Sequence, residues 1–451
     1  MNPLGPVAPP CPRRLAGERG SMLLTSMLFA IGLAIVLGSY LSLARTTLKL
    51  AHRTYFSNDA TNLAEAGLDE ALYRFNLMGS GTAAATAWTG WTISTTNAMF
   101  TLPTFNRDQN AIGIVKVYVH GYNGSDPAPY VLSQATITPF DGNAPIVKIL
   151  QIKLGFKPEN IPAAVAGISG LTFTGTAYAD SFNSNPSGSP TGPWAAYPGT
   201  GATSNTTAII LSGSVSIGSG QVKGNLKLGA GVATPPVADY TGTVTTGYSA
   251  KFPLPIYPTA GSVSQSYNLA ASIPSTLPRG GDLPAADGRY YYFCSGATIS
   301  TTSITAGKNV TITGTTTKLN TGLVVPATST CFIYMDGVVS VSGATALRNS
   351  SWAGAVRIYT STSSACSVGN NTSIMAWIYA PNAALSFGNS GTTIGSYLAK
   401  TITAGNGQQI HYDAAVRQSS SAGPWDVGSW YAMQSSADRS TVGALTGNFL
   451  P

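Results

Sequence analysis

The chain has 451 residues, only 9% of them charged (24 Lys and Arg, 17 Asp and Glu) with 3 His, beside 50 Gly, 28 Pro and 43% hydrophobic residues. Such a length supplies a large core and roughly two to four domains, and so low a charge excludes most disordered and regulatory classes. The formal net charge of +7 falls to +5 once the three arginines and one glutamate of residues 1–20 are set aside, and no Lys/Arg run is interleaved with aromatics, which excludes nucleic acid as a partner.

The first predicted element is a long helix. Residues 21–44, SMLLTSMLFAIGLAIVLGSYLSLA, carry no charge, and at about 1.5 Å per residue they suffice to cross a hydrocarbon layer of about 30 Å. Arg13, Arg14 and Arg19 precede this stretch and place the N-terminus in the cytoplasm, although Arg45, Lys49 and Arg53 follow it closely. The apolar stretch exceeds a signal peptide's usual length and no A-x-A site follows, so a retained helix is expected. MNPLGPVAPP offers no apolar region before Cys11, which excludes lipidation there. Helix continues through residue 78, where Ala60, Ala64, Leu68, Ala71, Leu72 and Phe75 form one apolar stripe and Glu70 and Arg74 sit four apart on the polar side.

A basic leader ending in Glu18-Arg19-Gly20, an apolar helix from Ser21 and an amphipathic extension ending in Ala64-Glu65-Ala66-Gly67-Leu68-Asp69-Glu70-Ala71-Leu72 resemble the type IV pilin-like proteins, within them the PilX-type minor pilins. The resemblance covers residues 13–78. It implies cleavage after Gly20 by a prepilin peptidase, N-methylation of Ser21, partnership with other pilin-like subunits and with an assembly platform in the inner membrane, and a head on the periplasmic side that reaches the cell surface or filament after assembly. Major pilins carry Glu at the fifth mature position, where it neutralises a neighbour's terminal amine; Thr25 stands there in this chain and only hydrogen-bonds, which points to a minor or tip subunit.

Residues 79–158 are expected to form a small antiparallel sheet against the helix: IGIVKVYVHGYN, YVLSQATITPF and APIVKILQIKLGF alternate as strands, separated by turn clusters at 122–127 and 141–145. From 159 to 415 the chain becomes short β-forming runs punctuated by Gly, as in Thr172-Phe173-Thr174-Gly175, Thr311-Ile312-Thr313-Gly314 and Ser340-Val341-Ser342-Gly343. The expectation is a large right-handed parallel β-helix, with a β-sandwich as the competing fold because 195–290 holds Pro-rich insertions. Tyr178-Ala179-Asp180-Ser181-Phe182-Asn183-Ser184, Tyr379-Ala380-Pro381-Asn382-Ala383 and His411-Tyr412-Asp413 resemble the β-helical passenger domain attached to PilX-like helices. Residues 416–451, rich in Ser and Gly, read as a terminal cap or tail. The whole is an α+β protein.

Chemistry is thinly supplied. Beyond Glu159 there are only eight aspartates, and His52, His120 and His411 are isolated, so no metal, cofactor or catalytic group is expected. Asp282, Asp287 and Arg289 form the one local acidic-basic knot, read as a turn. His411 and Asp413 flank Tyr412 on one strand face and read as a structural motif of the last rung. In an oxidising compartment one disulfide is expected among Cys294, Cys331 and Cys366, with the pair open. The aromatics Tyr290–Phe293, Trp352, Trp377, Tyr379 and Trp430 either stack on a surface glycan or fill the core. The expected function is therefore a non-enzymatic minor pilin-like subunit displaying a β-helical domain for assembly initiation or adhesion. The alternative is a membrane-anchored surface protein that binds or cleaves polysaccharide.

Overall fold

A computed structural model of the protein describes residues 18–79, 82–107, 110–124, 126, 128–156, 163–185, 195–197, 206–269, 272–300, 302–315, 318–343, 347–350, 352–417, 425–447 and 449–450. Residues 1–17 of the expected leader lie outside the described residues, and Gly20 and Ser21 fall in the first turn of α1 (Glu18–Gly79). At about 1.5 Å per residue this 62-residue helix is about 93 Å long. It contains a stretch long and apolar enough to cross a membrane, none of it buried.

The second half of α1 is held by a mostly antiparallel head. Strands Thr92–Ile93, Asn97–Thr101, Ala111–His120, Tyr130–Pro139, Ile146–Phe156 and Trp425–Met433 pair in that order, with Phe105–Arg107 on the edge of Ala111–His120. One sheet face presents Val115, Val117, Val119, Val131, Ala135, Ile137, Leu150, Ile152 and Leu154 to the stripe Phe56, Ala60, Leu63, Ala64, Leu68, Ala71, Phe75 and Met78. Burying each large member contributes about 2 kcal/mol. Gly67 sits where helix and sheet cross most closely: a Cβ there would stand 2.9 Å from carbons of Val115 and Val117 and closer still to the Ser133 hydroxyl.

The cap or tail expected for residues 416–451 is corrected to a strand and a helix of the head. Residues 418–424 lie outside the described residues, but Trp425–Met433 is a full strand of the head sheet, running antiparallel to Ile146–Phe156 from Trp425↔Phe156 to Met433↔Ile149. Its side chains from Val427 to Tyr431 are mostly exposed, so no buried-exposed alternation marks it in the sequence. The following helix, designated α3 (Ser436–Thr446) after the short α2 (Ala84–Ala87), is opened by a reciprocal cap between Ser435 and Asp438 and closed by Gly447 at φ 58°. Val442 and Leu450 then cover Tyr118, Leu132 and Ile149 on the sheet's other face.

Between the last two strands of the head the chain builds a large stack of parallel strands. The sandwich alternative is overturned: every described pairing from residue 165 to 413 is parallel. Spatial order differs from chain order. The first coil, with strands Val165–Gly167, Gly170–Phe173 and Tyr178–Phe182, lies inside the stack, and Thr206–Ile210, Gly224–Leu228 and Val244–Thr245 follow on one side of it. Residues 246–266 then run back along the outside. From Tyr267–Leu269 the coils climb through Arg289–Ser295, Asn309–Thr315, Thr330–Met335, Val356–Thr360 and Ile374–Phe387 to Thr392–Ala404 and Gln409–Asp413, which pair with the free side of the first coil.

One inward ladder crosses this closure without a break: Tyr267, Tyr292, Ile312, Ile333, Ile358, Ile378, Tyr397, Val165, Ala208, Leu226 and Val244 stand register on register. These side chains belong to one core. The corners are tied by a second ladder, in which the side-chain oxygen of Asn370 accepts from Asn389 N (2.8 Å), Asn389 from Asn406 N (2.9 Å) and Asn406 from Thr176 N (3.0 Å). In the returning segment 246–266, Pro253, Pro255 and Pro258 have no N–H to give a ladder, and the segment lies as a strap on the outer face, where Tyr248, Ala250 and Phe252 pack against the stack.

Candidate functional site

Two regions carry side chains in arrangements that core packing alone does not explain: the free half of α1, and the seam where the stack closes on itself. From Met22 to Leu50 every residue of α1 is exposed, including Leu23, Leu24, Leu28, Phe29, Ile35 and Leu41. Five of its hydroxyls are satisfied within the helix: Thr25 donates to Met22 O, Ser26 to Leu23 O, Ser39 to Ile35 O, Thr46 to Ser42 O and Thr47 to Leu43 O. An exposed apolar surface of this length, uncharged until Arg45, suits a lipid or a bundle of like helices. Thr25 therefore adds neither charge nor a burial cost to this surface.

The packed half of α1 is wired to the stack through aromatic rings. Phase by phase along that line, Phe75 meets Trp425 (5.2 Å between centroids), Trp425 meets Phe156 (4.9 Å) and Phe156 meets Tyr379 of the stack (6.3 Å). Arg74 binds Glu70 through Nε (2.8 Å) and Nη2 (2.6 Å) and reaches Ala87 O at 3.1 Å, fixing α2 to the helix.

The seam gathers the segments that the sequence marked separately. His411, Tyr412 and Asp413 lie register on register with Asp180, Ser181 and Phe182. The His411 ring N–H at Nδ1 donates to Asp180 Oδ1 (2.5 Å), Tyr197 donates to Asp180 Oδ2 (2.8 Å) and stacks on the imidazole at 3.6 Å, and Lys223 Nζ stands 3.9 Å from Asp180 Oδ2. Burial and then the Asp180 carboxylate push the Tyr197 phenol well above its ordinary pKa. Asp413 does not face His411: it accepts from Ser184 N (3.0 Å), Ser184 Oγ (2.7 Å) and Ala415 N (3.0 Å). His411 and Asp180 are both 0% exposed. The pair presents no open face to a substrate, and its contacts bind the closing coil to the first.

Other sequence candidates resolve differently from expectation. Cys294, Cys331 and Cys366 are buried free thiols in separate coils, so the expected disulfide is absent among them. Burial raises the Cys366 thiol and takes Cys331 up to about 12, which makes these cysteines core apolar groups and poor nucleophiles. The acidic-basic knot is the pair of turns expected of it: Asp282 pairs with Arg279 (3.0 Å) and Tyr292 (2.7 Å), Asp287 accepts from Arg289 N (3.0 Å) and Tyr291 (2.6 Å), and the Arg289 guanidinium turns away to Thr311, Thr330 and Val310 O. Among the described residues no His, Cys, Asp or Glu grouping suits a metal. The aromatics Tyr359, Trp377 and Tyr379 are buried beneath the strap, where Tyr248, Ala250 and Phe252 pack on them and Tyr379 donates to Pro253 O at 2.6 Å; Trp430 is half exposed on the head. The asparagine corner ladder went unread in the sequence, although Gly369-Asn370, Gly388-Asn389 and Gly405-Asn406 recur there at coil spacing.

Comparison with known proteins adds little chemistry. A family described as a domain of unknown function, DUF7305, matches residues 260–419, which covers the coils that climb in sequence and leaves out those at 163–248. No curated protein matches the chain. Among solved structures, the competence-associated pilin ComZ from Thermus thermophilus is similar at 11% identity over 83% of this chain and 97% of that one, with a TM-score of 0.27.

Proposed function

We propose that the chain is a minor pilin-like structural subunit of a bacterial type IV pilus or related secretion filament, displaying the strand stack as a right-handed parallel β-helix. The observation that carries this reading is the division of α1 into a wholly exposed apolar half and a half buried on an antiparallel sheet. A soluble domain has no use for the first half, and a simple anchor has no need of one rigid helix joining both. The proposed sequence of events is cleavage after Gly20 by a prepilin peptidase, methylation of Ser21, storage in the inner membrane through residues 21–44, and extraction by the assembly platform into a bundle with other pilin-like subunits. Lipid gives apolar helices no hydrophobic reason to associate, so close packing around a shared axis must supply the affinity. Thr25 and the bulk of the stack fit a subunit placed at an end or sparsely along the filament.

The experiment is mass spectrometry of the mature N-terminus from membranes of the native host, with a Gly20→Ala variant beside it. Methylated Ser21 in the parent and an intact leader in the variant are expected. A parent chain beginning at Met1 or beyond Ala44 would reject the proposal.

A further inference from the structure

Where α1 leaves its apolar stretch it carries Arg45, Lys49 and Arg53, one cation every four residues, all exposed. Among the described residues none of them has a carboxylate within ion-pair distance. Lys49, His52 and Arg53 line a cavity of about 180 Å³ between the helix and the turn that joins Tyr130–Pro139 to Ile146–Phe156. Its floor is apolar, made by Leu50, Phe56, Pro139 and Ile146. The one carboxylate in the wall, Asp141, is engaged by its own turn, accepting from Asn143 N at 3.1 Å and Asn143 Nδ2 at 2.5 Å.

Position selects the ligand. Arg45 is the first charge after 24 uncharged residues, and Arg53 lies about 12 Å further along the axis. The polar layer of a leaflet is about 5–8 Å deep, so Arg45 and Lys49 stand at headgroup level and the cavity opens just above it. We infer that this cavity binds the phosphate headgroup of an anionic lipid, with Lys49 and Arg53, whose side chains lean back toward the helix N-terminus, on the phosphate, and with the glycerol and first methylenes running back along α1 past Leu50 and Thr46 toward the apolar stretch. The inference rests on the reading that residues 21–44 cross the membrane. The bound lipid would hold the head at a fixed height while the subunit is stored, and would have to be released on extraction.

The test is native mass spectrometry of the full-length chain in detergent micelles, titrated separately with phosphatidylglycerol, phosphatidylcholine and inorganic phosphate. One phosphatidylglycerol should be retained per chain with a roughly 30-fold preference over phosphatidylcholine, each of two cations giving about fivefold at an anionic headgroup. The Lys49→Gln/Arg53→Gln double variant should lose that preference, and Asp141→Asn should strengthen retention. Equal retention of the two lipids, a preference that survives the double variant, or displacement of phosphatidylglycerol by equimolar inorganic phosphate would each overturn the assignment. Lower filament incorporation of the double variant with unchanged lipid retention would also overturn it, assigning the cations to a neighbouring subunit's carboxylate. The same spectra read the N-terminus by intact mass, so a chain cleaved at Gly20 that shows no lipid preference rejects this inference and leaves the pilin reading standing.

Discussion

In the head, the strand Trp425–Met433 returns across the whole stack to Ile146–Phe156 and is anchored by one buried tryptophan, whereas the stack's returning coil, Thr392–Asp413, is anchored by carboxylates that no solvent reaches. Both are closures between segments remote in sequence, yet the chemistry differs because the risk of misregister differs. The head offers its last strand one long free edge, Ile146–Phe156, since the opposite edge is the two-residue Thr92–Ile93. The stack offers a ladder of near-equivalent isoleucines, Ile312, Ile333, Ile358 and Ile378, against which an apolar coil could settle at several heights. Only one height puts His411 on Asp180 and Asp413 on Ser184, and a buried charge left unpaired at any other is costly.

The sharpest way to break the contrast is Asp413→Ala. It strands the Ser184 N–H, the Ser184 hydroxyl and the Ala415 N–H in the interior, and a cost of about 4 kcal/mol is expected from bonds to a buried carboxylate. Hydrogen exchange should show lost protection at 165–182 and 392–413 with strands 111–139 of the head unchanged; equal loss in both would reject separate closures.

A titration to alkaline pH should separate the regions next. Burial raises the Tyr248 phenol to about 12 and lifts Tyr379 well above its ordinary value. Both stay protonated in the fold while the unfolded chain ionises near 10, so their stabilisation is complete below about pH 10 and is lost as pH rises through the folded values. About 3 kcal/mol is at stake for Tyr248. The head contains the raised phenols Tyr118 and Tyr130, whereas the stack adds Tyr292 and Tyr397 to Tyr248 and Tyr379, and near-ultraviolet circular dichroism should record the stack melting first.

A smaller effect is expected from Gly67→Ala in the head. The added Cβ overpacks against Val115, Val117 and Ser133 at about 2 kcal/mol, and improved helix propensity returns about 1. Denaturant unfolding should therefore show a net loss of about 1 kcal/mol confined to the head. Reductant should do nothing: the three thiols are free and buried, so dithiothreitol is expected to leave the melting temperature unchanged, and any drop would reveal a disulfide.

Legibility in the sequence followed the range of the interaction. The α1 stripe and the hairpins of 111–156 rest on neighbours a few residues or one turn away, and their periods are plain. The short Gly-punctuated strands pointed to stacked coils but gave no stacking order, because Tyr397 and Val165 look like any other inward pair until they meet. Trp425–Met433 was unreadable for the same reason, having an exposed face and a partner some 270 residues away. His411-Tyr412-Asp413 reads as a structural motif of the last rung, but its partners, Asp180 and Ser184, stand in the other marked motif, more than 220 residues away. The Ser435-x-x-Asp438 cap of α3 was present in the sequence as a local signal and lay hidden in a stretch whose composition suggested a tail.

The insertion point of the stack has a mechanical consequence. The chain leaves the head at Phe156 and re-enters it at Trp425, and these two residues are register partners. Tension applied between α1 and the C-terminus is therefore carried by the pairing of Ile146–Phe156 with Trp425–Met433, whose loaded ends, Ile149 and Met433, are register partners, so its hydrogen bonds open one after another from that end. The coils from 163 to 413 hang outside that load path, so pulling on the molecule strains the head while the stack keeps its shape.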